Sequence, residues 1–152
     1  MEKENLKVQL EKTQALTLQF FELPVDDLHK RYAPQKWTVK QILHHLADAE
    51  TVLYERVRRV ISRPQQVLWA FDQDAWQKGL NYSEFPLEIS RDLYKTTRRA
   101  VLYTVEQHYE MKKDNIFIHS KTGKRTLGEE FQKIAWHNEH HLNQIRQALN
   151  FG

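Results

Sequence analysis

The segment "AWHNEHHLNQIRQAL", residues 135–149, carries three histidines within five positions. An α-helix turns by about 100° per residue, so apolar residues at helical spacing mark its buried face. On this wheel His141 lies inside the apolar stripe, His137 lies at its edge one turn earlier, and His140 projects away. The stripe consists of Leu127, Phe131, Ile134, Leu142, Ile145, Ala148 and Leu149. His137 and His141 are therefore predicted to form an inward pair.

The segment "LHHLADAE", residues 43–50, supplies two more histidines on a second amphipathic pattern. Here His45 lies at the margin of the apolar stripe, whereas His44 lies nearly opposite to it. That stripe consists of Val39, Ile42, Leu46, Ala49, Leu53, Val57 and Val60. Of this pair, only His45 is predicted to reach the interior.

Three inward imidazoles from two helices are suited to binding one divalent metal ion. Side chains four residues apart on a helix lie about 5–6 Å apart and can converge on one ion. Three protein ligands leave coordination positions open, which is the arrangement of a catalytic metal site rather than a structural one. The predicted ligands are His45, His137 and His141, with His44 and His140 excluded. Hydrogen-bonded core histidines are the alternative that these residues leave open.

The composition excludes several other chemistries. The 152 residues include no cysteine, so any metal must be held by His, Asp or Glu, and any thiol must arrive as a cosubstrate. The net charge of +3 is mild, and the basic run "YERVRRVISR" is more typical of a solvated helix face than of a nucleic-acid-binding surface. There is no apolar run of the roughly 20 residues needed to span a bilayer, and the first residues do not resemble a signal peptide. We expect one cytoplasmic domain over residues 1–152.

Four segments with helical periodicity must position the histidines. They run from about Leu6 to Phe21, from Val39 to Ile61, from Pro86 to Gln107 and from Thr126 to Leu149. Thr38 is the predicted N-cap of the second helix, and Thr126 with Glu129 has the spacing of a capping box. The connections at 22–37 and 62–85 are long, and the third contains an apolar "IFI" that could pack over the end of the bundle. The predicted fold is all-α, a four-helix bundle with long crossover connections.

Two polar residues are candidates for catalysis beside the metal. Arg56 lies on the same side of the second helix as His45 and either holds a substrate carboxylate or is a snorkelling surface residue. Asp72, together with its neighbour Asp74, lies in the long 62–85 connection, which is the expected wall of a pocket. The remaining expectations are that Trp76 lines the pocket mouth, that Trp37 and Trp136 are packing residues and that Glu139 points away. His119, on the loop before the last helix, is expected at the surface, with closure over the site as the alternative.

Several motifs resemble those of the DinB/YfiT-like superfamily. "WTVKQILHHLADAE" with "YERVRR" resembles its second-helix motif, and "IAWHNEHHLNQI" resembles its C-terminal motif. "FDQDAW" and "HSKTGKRTL" resemble the segments between them. The resemblance implies a four-helix bundle that holds zinc or nickel with three histidines, which by position are His45, His137 and His141. It also implies frequent homodimers and, among the known activities, thiol S-transferases that use bacillithiol or mycothiol, thiol-dependent isomerases and proposed metal-dependent hydrolases.

The chain departs from the YfiT branch at three positions. Glu50, Phe71 and Gln73 stand where that branch has His, Tyr and Glu, and Gln73 cannot act as a general base because an amide does not ionise. An acidic thiol needs no strong base, so the sequence favours a metal-dependent S-transferase with a bacillithiol-type thiol cosubstrate and a small-molecule substrate. A metal-dependent hydrolase and a non-catalytic metal-binding bundle are the alternatives.

Overall fold

Long helices pack as a four-helix bundle, as predicted from the four periodic segments. The computed structural model describes residues 1–151, with Phe151 described by its backbone alone, and the last helix is described to Phe151, two residues past its predicted end near Leu149. In chain order the elements are α1 (Lys3–Phe21), α2 (Val25–Leu28), α3 (Val39–Ser62), β1 (Val67–Leu68), α4 (Gln73–Gly79), α5 (Leu87–Lys112), β2 (Ile116–His119), β3 (Gly123–Thr126) and α6 (Leu127–Phe151). None of the described helices is long and apolar enough to cross a membrane.

The predicted crossover topology is present. Of the two long connections predicted to permit it, only the first joins diagonally opposite helices. Helices α1 and α3 each pack mainly against α5 and α6, so α1 lies diagonally opposite α3 and α5 lies diagonally opposite α6. Segment 22–38 crosses one diagonal and segment 113–126 crosses the other. The long segment 63–86 joins two neighbouring helices instead, and it carries β1 and α4 along the outside of the bundle.

Side-chain caps fix where the two histidine-bearing helices begin. At the start of α3, the Thr38 hydroxyl accepts from the Gln41 N–H (3.2 Å) and the Gln41 side chain accepts from the Thr38 N–H (2.8 Å), which completes a capping box. At the start of α6, the Thr126 hydroxyl accepts from the Glu129 N–H (3.2 Å), but the Glu129 carboxylate pairs with Arg125. The predicted box at Thr126 is therefore only half formed.

A small three-stranded sheet in the order β1-β2-β3 was not predicted. Strand β2 pairs parallel with β1 and antiparallel with β3, and Gly123 takes a positive φ of 81° at the turn between β2 and β3. Successive side chains of a strand point to opposite faces, so Phe117 enters the core while Ile118 is exposed. The apolar "IFI" thus contributes to the core through Phe117 alone.

Two apolar clusters fill the bundle. Along both α3 and α6, a buried polar network lies between the residues of one cluster and those of the other. Its centre is Arg98 of α5, which donates to both carboxylate oxygens of Glu50 (2.6 and 2.8 Å), to Asn138 (2.8 Å) and to the Leu10 carbonyl (2.8 Å). The hydroxyl of Tyr94 also donates to Asn138 (2.6 Å). The glutamate at position 50 is therefore the counter-charge of a buried arginine, and the network joins all four long helices.

Candidate metal centre

The structure brings His45, His137 and His141 together. Their potential ligand atoms all lie within 4.8 Å of one another, and Nε2 of His45 is 3.0 Å from Nε2 of His137. His45 and His141 are buried, whereas His137 is partly exposed. The cluster is therefore reached from solvent on the side of His137.

The pairing of α3 with α6 explains this convergence. His137 and His141 are one helical turn apart on α6, with ring centroids 4.6 Å apart. His45 projects from α3 between them, with its centroid 4.9 Å from that of His137 and 4.6 Å from that of His141. The inward orientation that the helical wheel predicted for these three rings is present.

The arrangement of ring nitrogens fits a metal ion. The amide oxygen of Gln144 is 2.7 Å from Nδ1 of His141 and can only accept, so that nitrogen carries the proton and Nε2 keeps its lone pair. Nδ1 of His45 is buried without a partner, and its Nε2 faces another Nε2. Two nitrogens bound to a tetrahedral zinc at about 2.0–2.1 Å would lie about 3.3 Å apart, close to the spacing of the His45 and His137 nitrogens.

The protonation of the three rings also suits metal binding. Burial, followed by the charge of His141, lowers the pKa of His45 to about 3. Burial lowers the pKa of His141 to about 4, although its hydrogen bond to Gln144 opposes the shift. Burial, followed by the charges of the other two rings, lowers the pKa of His137 well below its usual value. All three rings are therefore neutral at pH 7, the state that a metal ligand requires.

Aromatic side chains cover His45. Trp37 meets its ring edge-on with centroids 5.2 Å apart, and Phe71 stacks on it at 6.0 Å. Trp76 of α4 packs on Phe71 at 5.1 Å. The connection between α3 and α5 thus forms a wall of the site, as expected, and Trp37 packs on a ligand candidate rather than on remote core.

The acidic residues of this wall are occupied elsewhere. Asp72 is exposed and caps α4, its carboxylate accepting from the N–H groups of Asp74 and Ala75 at 3.1 Å each. Asp74 and Gln73 are exposed in the first turn of α4. Within residues 1–151, the group of potential ligands around His45 includes no carboxylate. Asp72 therefore lies next to a wall residue, but not in the histidine cluster.

The outward orientation predicted for His44 is wrong, because this ring is only 1% exposed. Its Nδ1 lies 2.6 Å from the hydroxyl of Ser90, and the ring packs against Tyr82 and Phe85. The helical wheel placed His44 opposite the bundle core, but the end of the long connection folds over that side of α3. His44 stays outside the three-histidine cluster, as predicted.

The surface alternative for Arg56 is also wrong. This side chain is buried, donates to Glu130 (3.2 Å) and donates to the carbonyl of Trp69 (2.8 Å). Eleven residues of α3 separate it from His45, which is about 16 Å along the helix axis. The structure therefore does not bring Arg56 to the histidines, and its charge is already paired.

Three further expectations have mixed outcomes. His119 was expected at the surface but is buried, and its Nδ1 accepts from the N–H groups of Lys121 and Thr122. Trp136 was expected to pack, yet it is 64% exposed and stacks on the outward-facing His140 with centroids 5.4 Å apart. Glu139 points away from the cluster and pairs with Arg146, as expected.

Sequence reasoning overlooked Gln144, which lies one turn after His141 and bonds to it. Its side-chain amide also donates to the Tyr32 hydroxyl (3.3 Å), so the loop before α3 supports the ligand set. The i, i+3 spacing from His141 was a usable signal for this contact. No such signal existed for Glu130, because its partner Arg56 is 74 positions away.

Comparison with known proteins agrees with this fold. The profile of the DinB superfamily matches residues 9–145, and the chain belongs to that superfamily. A solved structure described as "YfiT from Bacillus subtilis is a probable metal-dependent hydrolase with an unusual four-helix bundle topology" superposes with a TM-score of 0.89. The superposition covers 98% of this chain and 86% of that chain at 23% identity, and it shows a shared fold.

Relatives at the sequence level carry names of the same kind. "Putative metal-dependent hydrolase OB0413" of Oceanobacillus iheyensis is 29% identical over 127 residues, which are 82% of this chain and 72% of the relative. "Putative metal-dependent hydrolase BH0277" of Halalkalibacterium halodurans is 26% identical over 135 residues, which are 89% of this chain and 77% of the relative.

Proposed function

We propose that this chain is an enzyme that binds one divalent metal ion, zinc or nickel, through His45, His137 and His141. The convergence of three neutral imidazoles, of which only His137 is partly exposed, carries this proposal. The names of the relatives point to metal-dependent chemistry as well. A divalent ion held there would supply Lewis acidity and would lower the pKa of a water molecule or thiol bound to it.

The residues around the cluster supply orientation and exclusion of water. Gln144 holds the His141 ring with its unprotonated nitrogen towards the cluster. Trp37 and Phe71 cover His45, so solvent and substrate reach the cluster beside His137. A dry wall on one side and an opening on the other suit a small-molecule substrate.

For the reaction, we favour transfer of a bacillithiol-type thiol to a small electrophile. The chain has no cysteine, so the thiol is a cosubstrate. No carboxylate joins the cluster within the described residues, and Gln73 cannot take up a proton. A thiol ionises near pH 8.5 and, unlike water, needs little help from a general base once its pKa is lowered.

Hydrolysis by the same metal is the second candidate, and the names of the relatives favour it. It would proceed on an ester or amide without any thiol. A metal-binding bundle without catalytic activity is the remaining alternative.

The substrate is expected to be a small molecule rather than nucleic acid, because the net charge of +3 gives no strong basic surface. We further propose a cytoplasmic homodimer.

Metal analysis of histidine variants tests the proposed site. His45→Ala, His137→Ala and His141→Ala should lose most of the bound zinc or nickel, because each removes one of three ligands. His140→Ala is the matched control on α6, since the His140 ring is exposed. His44→Ala tests which of the two adjacent histidines of α3 binds the metal. Metal content by mass spectrometry and affinity by calorimetry give the readout. Equal losses in His44→Ala and His45→Ala would contradict the assignment.

Turnover by the metal-loaded protein tests the reaction. A haloarene or epoxide should be consumed only when a low-molecular-weight thiol is added, and consumption should vanish in His141→Ala. Ester or amide hydrolysis without thiol would establish the second candidate instead. Full metal occupancy with no turnover in either assay would favour the non-catalytic alternative.

A further inference from the structure

A second polar cluster lies along α6 beside the three histidines. It comprises Arg56 of α3, His119 of β2, and Glu130 and Lys133 of α6. The charges of Glu130 and Arg56 both act on Lys133, and the charges of Lys133, Arg56 and Glu130 all act on His119. Arg56 and Glu130 are hydrogen-bonded here, and Lys133 and His119 lie near enough for their charges to matter.

Most of the polar groups in this cluster already have partners. Arg56 bonds to Glu130 and to the Trp69 carbonyl, which leaves its Nε and the second Glu130 oxygen buried without partners. One oxygen of Glu130 is thus taken by Arg56, and within the described residues no hydrogen bond or ion pair joins its second oxygen to Lys133.

Lys133 is the cation in this cluster without a counter-ion. Its side chain is half-buried, and it forms no ion pair or hydrogen bond with any residue in the described range 1–151. Burial lowers the pKa of its ammonium group; the charge of Glu130 opposes this shift, while those of Arg56 and Arg125 add to it. Lys133 lies one helical turn before His137, so the two residues are neighbours on the surface of α6.

Lys133 also lines a surface cavity of about 490 Å³. Its walls are Arg125, Glu129, Gln132, Lys133 and Trp136. Arg125 is paired with Glu129 at 3.3 Å, whereas Lys133 is unpaired. The indole of Trp136 is stacked on His140 and largely exposed, so it gives the cavity an apolar wall beside a single open positive charge.

We propose that Lys133 binds the carboxylate of a small planar ligand whose apolar part lies against Trp136. A part for this ligand in the reaction rests on the proposed function, since Lys133 is one helical turn from His137. A carboxylate suits Lys133 because the charge-assisted hydrogen bond would supply the counter-charge that the protein does not. Lys133 would thereby take the carboxylate-binding role that the sequence offered as one alternative for Arg56.

Benzoate and its uncharged analogue benzamide are suitable probes. The zinc-loaded chain is titrated with each, and binding is followed by calorimetry and by the NMR signal of the Trp136 indole N–H. Benzoate should bind and shift this signal, Lys133→Gln should weaken its binding about tenfold or more, and Lys133→Arg should restore most of it. Lys124→Gln is the matched control, because this lysine of β3 is exposed and does not line the cavity. Benzamide should bind the parent and Lys133→Gln equally weakly.

A carboxylate can also bind directly to a metal ion, so the titration is repeated with His141→Ala. Benzoate binding that persists in His141→Ala and is weakened in Lys133→Gln supports the subsite even if the proposed metal function fails. Binding that is lost in His141→Ala but unchanged in Lys133→Gln would place the carboxylate on the metal and overturn the inference. No binding to the parent protein, or an unmoved Trp136 signal, would overturn it too. Melting curves of Lys133→Gln and Lys133→Arg establish that both variants are folded.

Discussion

His44 and His45 are neighbours in the sequence and both are buried, but their rings face different partners. His44 lies beside the Ser90 hydroxyl, between two aromatic rings, while Nε2 of His45 faces Nε2 of His137. Burial alone therefore does not separate a ligand candidate from a core histidine. A ligand candidate differs from a core histidine because its ring nitrogen points its lone pair at another ring's lone pair, with no hydrogen-bond donor between them.

At the residue scale, we expect Gln144→Leu to weaken metal binding by roughly 10- to 100-fold, the usual effect of removing a hydrogen-bond partner of a ligand. The variant would lose the acceptor that fixes the proton on Nδ1 of His141. Calorimetric titration of zinc or nickel into the chelated protein measures the change. Gln147→Leu is the control, since Gln147 is exposed on the same helix. An unchanged affinity in Gln144→Leu would show that this hydrogen bond does not orient the ligand.

At the scale of elements, the buried network around Arg98 fixes the positions of α3 and α6 relative to α5. Arg98→Met removes the cation and leaves the Glu50 carboxylate buried and unpaired, which should lower the free energy of unfolding by about 3–5 kcal/mol. Urea denaturation followed by circular dichroism measures the change. Arg99→Met is the control, because Arg99 is the exposed neighbour on α5.

A double variant separates the ion pair from simple packing. Glu50→Leu combined with Arg98→Met replaces both charges with apolar groups and should recover much of the lost stability. If the double variant is as unstable as Arg98→Met alone, the uncompensated carboxylate is not the cause of the loss.

Structural features that depend on a single helix were predicted from the sequence. Features that depend on contact between two distant segments were missed. The four long helices and the inward side of His45, His137 and His141 follow from apolar periodicity. The sheet was missed because strands of two to four residues are too short for a period of two to appear. The burial of His44 and His119 was missed because connections cover them, and a wheel considers only the helix on which a residue lies.

At the scale of the whole molecule, acid should destabilise the protein even when a chelator keeps it free of metal. His44, His45 and His141 have pKa values of about 4, 3 and 4 in the folded chain, chiefly because of burial, against 6.5 when unfolded. As the pH falls below about 6.5, the unfolded chain takes up protons that the folded chain does not, so the free energy of unfolding falls. Between about pH 7.5 and pH 5 the loss is roughly 1–2 kcal/mol per histidine.

Denaturant titrations at the two pH values measure this loss. Added zinc should raise the melting temperature at neutral pH and should do so less as the pH falls, because protons compete for the ligand nitrogens. Equal unfolding free energies at both pH values would contradict the low pKa values. A melting temperature indifferent to zinc and chelator would contradict the proposed metal site.

The outer face of α5 is the best candidate for contact between two copies of the chain. Tyr103 is 68% exposed, and Ile89 and Leu93 are exposed on the same side of the helix. We expect sedimentation velocity to give a dimer at micromolar concentration and Leu93→Glu to shift it towards monomer. Lys95→Glu, which changes an exposed residue on another side of α5, should leave the dimer intact. A monomeric parent protein would refute the proposed homodimer.

The three histidines lie on the second and fourth long helices, and 92 positions separate His45 from His137. No contiguous fragment of the bundle that lacks either helix can assemble the set, so an ion would bind only after the last helix has docked. Contacts at such separation carry a large loop-closure cost and form late in folding. Interactions absent from the transition state slow unfolding without speeding folding. The ion would therefore slow unfolding, which lengthens the lifetime of the native bundle, and would leave the folding rate unchanged.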